Sequence, residues 1–121
     1  MSKVALVVDD SMVIRKMVTM ALKAISFEVL DAPDGRRALE VAKGKDLALV
    51  ITDLNMPVMT GLEFIHEFRA DPDHKFTPIL FLTTETDEGM RNEARSAGAT
   101  AWIVKPFHPD KLIAVIQKLG I

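Results

Sequence analysis

The fold is decided by the stretch Val4-Ala5-Leu6-Val7-Val8-Asp9-Asp10, in which five apolar residues lead directly into two carboxylates. A short, unbroken and valine-rich run is typical of a strand that is buried on both faces of a parallel sheet. The run is too short for a signal peptide or a membrane span. The stretch therefore predicts a central strand with acidic residues at its carboxyl end.

Four more apolar runs follow along the chain, and they are Phe27 to Leu30, Leu47 to Ile51, Ile79 to Leu82 and Ala101 to Val104. Segments with helical spacing separate the runs, and one follows the last. Five alternations of strand and helix predict an α/β fold with a doubly wound, five-stranded parallel sheet. Glu28 and Asp31 interrupt the second strand and the fifth is short. Both strands are therefore expected at the edges, which favours the flavodoxin-like (βα)5 order 2-1-3-4-5.

Two of the predicted helices have thin apolar faces, which we expect to be partly exposed. One face consists of Ala38, Leu39 and Ala42, and the other of Met90, Ala94 and Ala97. The three histidines, His66, His74 and His108, show no metal-ligand spacing, so we expect them to be exposed and without a role.

Length and composition narrow the classes of function. The chain has 121 residues, which predicts one domain over residues 1–121 with no output domain. It contains no cysteine, which removes disulfides and thiolate metal sites and fits a cytoplasmic protein. Its net charge of -2 offers no basic stripe, so we expect neither nucleic-acid nor membrane binding. A monomer is the simplest expectation.

Hydrophilic residues follow four of the five predicted strands: Asp9-Asp10, Asp53, Thr83-Thr84 and Lys105. In a parallel sheet these ends lie on one edge, and ligands bind where the winding direction reverses, between the first and third strands. Three carboxylates and one Lys105 ammonium sum to about -2, and the like charges repel one another and raise the carboxylate pKa values unless a cation compensates them. Oxygen ligands and room for water and phosphate favour Mg²⁺, and the Asn55 backbone carbonyl could add one more oxygen.

With a metal bound, Asp53 is the carboxylate best placed to act as a nucleophile on a phosphoryl group. Charge builds on the equatorial oxygens during such a transfer. Lys105 and the Thr83 hydroxyl or a nearby backbone N–H could stabilise that charge.

Four motifs occur in the order and spacing of one known family, and they are Val8-Asp9-Asp10-Ser11, Asp53-Leu54-Asn55-Met56-Pro57 with Gly61, Leu82-Thr83-Thr84-Glu85, and Lys105-Pro106-Phe107. Over its whole length the chain resembles the response-regulator receiver domains of two-component signalling. The resemblance implies that Mg²⁺ is held by Asp9, Asp10, Asp53 and the Asn55 carbonyl, that Asp53 is phosphorylated, and that Thr83 and Lys105 contact the phosphoryl group. It implies a signalling phosphoacceptor that assists its own phosphorylation and dephosphorylation, and not an enzyme.

The resemblance also implies how the signal leaves the site. Trp102 stands where the family has a switch aromatic, usually Tyr or Phe, that moves when the threonine is drawn toward the phosphoryl group. The face made by the fourth helix, fifth strand and fifth helix changes as a result. By the same resemblance the Lys105–Pro106 bond is expected to be cis.

The motifs look most like CheY-type chemotaxis regulators. The implied partners are a CheA-like histidine kinase, a flagellar motor switch protein or other output protein, and a phosphatase. The alternative within the class is a relay intermediate or phosphate sink outside chemotaxis.

Other readings of these residues are weaker. Asp9 and Asp10 could merely cap a helix, and Trp102 could merely fill the core. A haloacid-dehalogenase-type phosphatase also uses an aspartate nucleophile, but it needs a second Asp where this chain has Asn55. A flavodoxin-type module needs a hydroxyl- and Gly-rich phosphate loop, where this chain has Asp9-Asp10.

Overall fold

One parallel sheet covered by helices organises residues 3–121, which are the residues described by this computed structural model. In chain order the elements are β1 (Lys3–Val8), α1 (Met12–Ala24), β2 (Phe27–Ala32), α2 (Gly35–Ala42), β3 (Leu49–Thr52), α3 (Gly61–Ala70), a 3₁₀ turn (Pro72–His74), β4 (Ile79–Thr83), α4 (Glu88–Ser96), β5 (Ala101–Val104) and α5 (Pro109–Lys118). The sheet order is β2-β1-β3-β4-β5. The predicted fold class and strand order are therefore confirmed.

Side chains on the central strands alternate between two hydrophobic clusters, one on each face of the sheet. Leu6 and Val8 of β1 pack into the cluster with α2, α3 and α4, whereas Ala5 and Val7 pack into the cluster with α1 and α5. All four are at most 1% exposed. Burial on both faces explains why the run contains no polar residue. It also fixes where in the sheet β1 ends and the carboxylates of Asp9 and Asp10 follow.

The helix that follows β1 begins directly after a capping serine. Ser11 caps α1 by accepting a hydrogen bond from Ile14 N at 3.3 Å. Its hydroxyl satisfies one of the amide groups that the first helical turn leaves unpaired. The chain thus turns from strand into helix within three residues, Asp9 to Ser11, and holds the acidic pair beside the end of the strand.

Three expectations about burial and strand limits were wrong. Ala38 and Ala42 of α2 are fully buried, because a small side chain lets the helix lie directly on the sheet. Only Leu39 on that face is half-buried. On α4, Met90 and Ala97 are partly exposed as expected, but Ala94 is fully buried. The third strand begins at Leu49 and not at Leu47, although Leu47 is buried beside it.

His74 is buried, whereas the sequence predicted that it would be exposed. Its ring stacks on Phe68 with 4.4 Å between the ring centroids, and its Nε2 lies 3.1 Å from the Ala42 carbonyl oxygen. The 3₁₀ turn after α3 folds the histidine back onto the core. His66 and His108 are exposed, as expected.

Among residues 3–121, no helix is long and apolar enough to cross a membrane.

Candidate functional site

The acidic residues that follow β1 and β3 meet at the edge of the sheet between these two strands. Carboxylate oxygens of Asp9, Asp10 and Asp53 lie within 4.8 Å of one another. Asp9 and Asp53 are 3% and 8% exposed, whereas Asp10 faces solvent. Two buried carboxylates and one accessible carboxylate therefore share one small volume, as the strand order predicts.

Lys105 joins the two buried carboxylates. Its ammonium Nζ lies 2.7 Å from Asp9 Oδ2 and 3.0 Å from Asp53 Oδ2. The three side chains are 12%, 4% and 11% exposed. Removing Lys105 would leave two buried carboxylates uncompensated, whereas removing the charge of Asp9 would leave Lys105 paired with Asp53. The Lys105–Pro106 peptide bond is cis, as expected from the resemblance.

Asp53 is held by its own loop as well as by Lys105. Its Oδ1 accepts a hydrogen bond from Leu54 N at 2.7 Å, and its backbone N–H donates to Val8 O at 3.0 Å. The loop returns closely at Gly61, whose N–H donates to Leu54 O at 2.7 Å. A Cβ on Gly61 would lie 2.8 Å from Leu54 Cα, which is closer than real side chains approach. This position therefore requires glycine, and the carboxylate it supports has a fixed orientation.

The electrostatics of Asp9 follow mainly from burial. Burial raises the pKa of the Asp9 carboxyl above its usual value, although hydrogen bonds from Lys105 and Ser11 N oppose this. The charge of Asp53 raises that pKa further but is the smallest contribution. Desolvation, and not the repulsion between carboxylates expected from the sequence, is therefore the main cause of the raised pKa of Asp9. For Lys105, burial lowers the pKa, but hydrogen bonds to Asp9 and Asp53 outweigh it and raise the pKa overall.

Without metal and near pH 7, we expect Asp9→Asn to unfold at a higher urea concentration than the wild type. A raised pKa means that ionising Asp9 costs the folded state free energy. This cost is absent below the ordinary aspartate pKa of about 3.9 and develops as the pH rises through the raised value.

Urea titrations in EDTA at several pH values check this expectation. The advantage of Asp9→Asn over the wild type should grow as the pH rises from about 4 toward 7. The exposed Asp46→Asn is the matched control and should show no such growth. An advantage that is independent of pH, or a loss of stability at neutral pH, would contradict the account.

Thr83 ends β4 and is fully buried. Its hydroxyl oxygen accepts a hydrogen bond from Glu85 N at 3.2 Å, which leaves the hydroxyl hydrogen available to donate. Its carbonyl accepts from Lys105 N at 2.7 Å, so β4 is tied to the segment that carries the lysine. Thr84 and Asn55 are exposed.

Trp102 lies on β5 directly opposite Phe81 of β4. It is half-buried against the cluster that contains α3 and α4, and its ring centroid lies 5.5 Å from that of Phe81. Its indole Nε1 is buried and has no hydrogen-bond partner within residues 3–121. Such a group usually has an acceptor, so its environment is not fully satisfied in this conformation.

Sequence reasoning assigned no role to Arg15. This residue on α1 donates from Nη1 to the backbone carbonyl of Asp9 at 2.6 Å and from Nε to Asp31 Oδ2 at 3.1 Å. An arginine five residues after an acidic pair carries no signal of its own. Its relevance comes from the sheet order, which places Asp31 of β2 beside the end of β1.

The chemistry of the donor set fits Mg²⁺. All the clustered ligand atoms are carboxylate oxygens, and the exposed Asp10 leaves one side open for water and phosphate. Three carboxylates and the Lys105 ammonium sum to about -2, which a divalent cation would balance.

Comparisons with known proteins agree with this geometry. Residues 5–117 match the model of the response regulator receiver domain. CheY4, the chemotaxis response regulator of Vibrio cholerae, superposes with a TM-score of 0.93 at 45% identity, covering 98% of this chain and 99% of that one. A second similar structure is the receiver domain of the sensor histidine kinase PA1611 from Pseudomonas aeruginosa, which was solved with a magnesium ion in its active-site cleft. It superposes with a TM-score of 0.87 at 25% identity, covering 98% of this chain and 97% of that one.

Among curated sequences, the transcriptional regulatory protein SrrA of Staphylococcus aureus is 37% identical over 119 residues. The alignment covers 98% of this chain and 48% of SrrA. The chain thus spans about half the length of the curated relatives it matches.

A doubly wound sheet with an acidic cluster and a lysine at its switch point defines a class of phosphoacceptor modules, and the chain belongs to the response regulator receiver domain family. More narrowly, its structure matches the CheY-type receivers strongly. Receiver domains are signalling phosphoacceptors that take a phosphoryl group from a histidine kinase and act on an output partner. They bind Mg²⁺ at an acidic pocket, as the relative with bound magnesium illustrates.

Proposed function

We propose that Asp53 accepts a phosphoryl group from the phosphohistidine of a kinase in a Mg²⁺-dependent reaction, and that the phosphorylated form signals by binding a partner. The observation that supports this most is the bridge from Lys105 to both Asp9 and Asp53 inside the acidic cluster. It brings the Asp53 nucleophile, the Lys105 ammonium and the carboxylates that would bind a metal cation close together.

The residues have separable roles in this proposal. An Asp53 carboxylate oxygen forms the new bond to phosphorus, while the bond from phosphorus to the histidine nitrogen breaks and its electron pair leaves with the nitrogen. Lys105 and the Thr83 hydroxyl donate to phosphoryl oxygens as charge develops on them. Asp9, Asp10, Asp53 and the Asn55 carbonyl would hold Mg²⁺, which supplies further positive charge at those oxygens when bound.

Phosphorylation would be communicated through Thr83 and Trp102. If the Thr83 hydroxyl is drawn toward a phosphoryl group on Asp53, its present contact with Glu85 N would lengthen. Such a movement would disturb the packing next to Phe81, the neighbour of Trp102. The unsatisfied indole N–H would make a second arrangement of the ring accessible at low cost.

The output surface is the face made by α4, β5 and α5. It carries a groove of about 450 Å³ next to Trp102, lined by Arg91, Arg95, Ala101, Trp102, Val115, Lys118 and other residues. Cationic side chains around an apolar floor suit an output segment with acidic and apolar residues.

The pathway we favour is chemotaxis, with a CheA-like kinase as donor and a flagellar motor switch protein as output partner. Support comes from CheY4, which is 45% identical to this chain with a TM-score of 0.93, whereas SrrA is 37% identical. The alternative is a relay intermediate or phosphate sink. A separate aspartate-nucleophile phosphatase is disfavoured because Asn55 stands where such an enzyme needs an acid.

Binding to a flagellar motor switch protein separates these two pathways. With Mg²⁺ and beryllofluoride as a phosphoryl mimic, we expect wild-type protein to bind at least roughly 10-fold more tightly than without the mimic, since coupling between sites is commonly 5- to 150-fold. Asp53→Asn should show no response to the mimic. A lack of enhanced binding, together with onward phosphoryl transfer to a histidine phosphotransfer domain, would favour the relay alternative.

A further inference from the structure

Arg15 contacts the end of β1 without belonging to the acidic cluster. It lies on the first turns of α1, and its side chain is 13% exposed. One nitrogen, Nη1, donates to the Asp9 carbonyl at 2.6 Å, and another, Nε, donates to Asp31 Oδ2 at 3.1 Å. A single guanidinium therefore connects α1 to the carboxyl ends of both β1 and β2.

With the contact from Arg15 to the Asp9 carbonyl, every polar group of Asp9 has a hydrogen-bond or ion-pair partner. The Asp9 N–H donates to Ala32 O, Oδ1 accepts from Ser11 N, and Oδ2 pairs with Lys105. The carbonyl is the remaining group, and Arg15 is its donor. Without Arg15 the turn from Asp9 into α1 would lose its side-chain anchor to the sheet.

The charge of Arg15 is balanced by Asp31. A lone cation beside three carboxylates would compete with a metal ion for them, as we expect of Lys105. The Arg15–Asp31 pair instead supplies a donor with no net charge. Because the Asp31 side chain is 53% exposed, the ion pair itself contributes little to stability. What the pair does is orient the guanidinium toward the Asp9 carbonyl.

We propose that Arg15 is a positioning residue for the cation site: it fixes the backbone at Asp9 so that the carboxylates of Asp9 and Asp10 converge with that of Asp53. This inference rests on the proposed function, because it assumes that the cluster binds Mg²⁺. Outer groups that orient metal ligands typically change metal affinity by 10- to 100-fold when removed.

The test exploits the sign of the charge change. Arg15→Met removes a positive charge near the cluster, so electrostatics alone would tighten Mg²⁺ binding. Positioning predicts the opposite, a Mg²⁺ dissociation constant raised by roughly 10-fold in calorimetry. Lys16→Met is the matched control, because it removes the same charge from an exposed site on the same helix. It should leave the dissociation constant unchanged or slightly lower.

The double variant Arg15→Met with Asp31→Asn keeps the wild-type net charge. It therefore isolates the effect of how the Asp9 backbone is positioned. Its Mg²⁺ affinity should be reduced about as much as that of Arg15→Met. In metal-free protein both variants should show faster hydrogen exchange at the Ser11 amide, which bonds Asp9 Oδ1. Saturating Mg²⁺ should restore most of the rate at which acetyl phosphate forms an adduct.

Wild-type or tighter Mg²⁺ affinity in Arg15→Met, with wild-type protein binding Mg²⁺ normally, would overturn the role of Arg15 and leave the proposed function standing. Failure of the wild type to bind Mg²⁺ would overturn both. If Arg15→Met does not fold, Arg15→Lys serves as the test. An ammonium cannot span both acceptors in the manner of a guanidinium, so Mg²⁺ affinity should still fall below that of the wild type. Undiminished affinity in Arg15→Lys would then overturn the proposal.

Discussion

Asp53→Asn is expected to form no phosphoryl adduct when it is incubated with acetyl phosphate and Mg²⁺, under conditions that convert the wild type. An amide oxygen is a far weaker nucleophile than a carboxylate, and the substitution also removes one of the three clustered carboxylates. Intact mass spectrometry over a time course measures the effect directly. Circular dichroism confirms that the variant is folded.

Asp46→Asn provides the control for this variant, because Asp46 is an exposed aspartate outside the cluster. It should accept the phosphoryl group at the wild-type rate. Adduct formation in Asp53→Asn comparable to that of the wild type would show that another group is the acceptor. The assignment of Asp53 would then be wrong.

Lys105→Met is expected to move two observables in opposite directions. The rate of adduct formation should fall by roughly 100- to 1,000-fold, the loss typical for removing one group that stabilises charge in the transition state. Mg²⁺ affinity should rise by roughly 10-fold, because the ammonium no longer competes for Asp9 and Asp53. Calorimetry and mass spectrometry measure the two effects separately.

Lys111→Met on α5 removes the same charge from an exposed position and should change neither quantity appreciably. If Lys105→Met lost Mg²⁺ affinity along with rate, the lysine would be holding the carboxylates in place for the metal. If the rate were unchanged, Lys105 would have no part in phosphoryl transfer.

The sheet and the place of the site could be predicted from the sequence because both depend on a local pattern. Unbroken apolar runs such as Val4 to Val8 have one stable environment, a strand buried on both faces. Polar residues directly after those runs must then meet at one edge. Nothing more is needed to bring Asp9 and Asp53 together, although they are 44 residues apart in sequence.

Side-chain contacts within the site depend on distances that no pattern specifies. Sequence reasoning placed Lys105 near the carboxylates but could not show that it bridges two of them. Asp31 was interpreted only as a mark of an edge strand, whereas its carboxylate accepts a hydrogen bond from Arg15. The burial of His74 depends on a 3₁₀ turn with no periodic signal, and that of Ala38 on how closely α2 lies against the sheet.

The most direct test of the central claim is to locate the phosphoryl group on the wild-type protein. The protein is treated with acetyl phosphate in Mg²⁺ or in EDTA and then with borohydride, which reduces an aspartyl phosphate to homoserine, and peptide mapping locates the product. We expect homoserine at position 53 alone, and only when Mg²⁺ is present. Homoserine at another position, an equal yield in EDTA, or no product in Mg²⁺ would contradict the assignment of Asp53 as a metal-dependent phosphoacceptor.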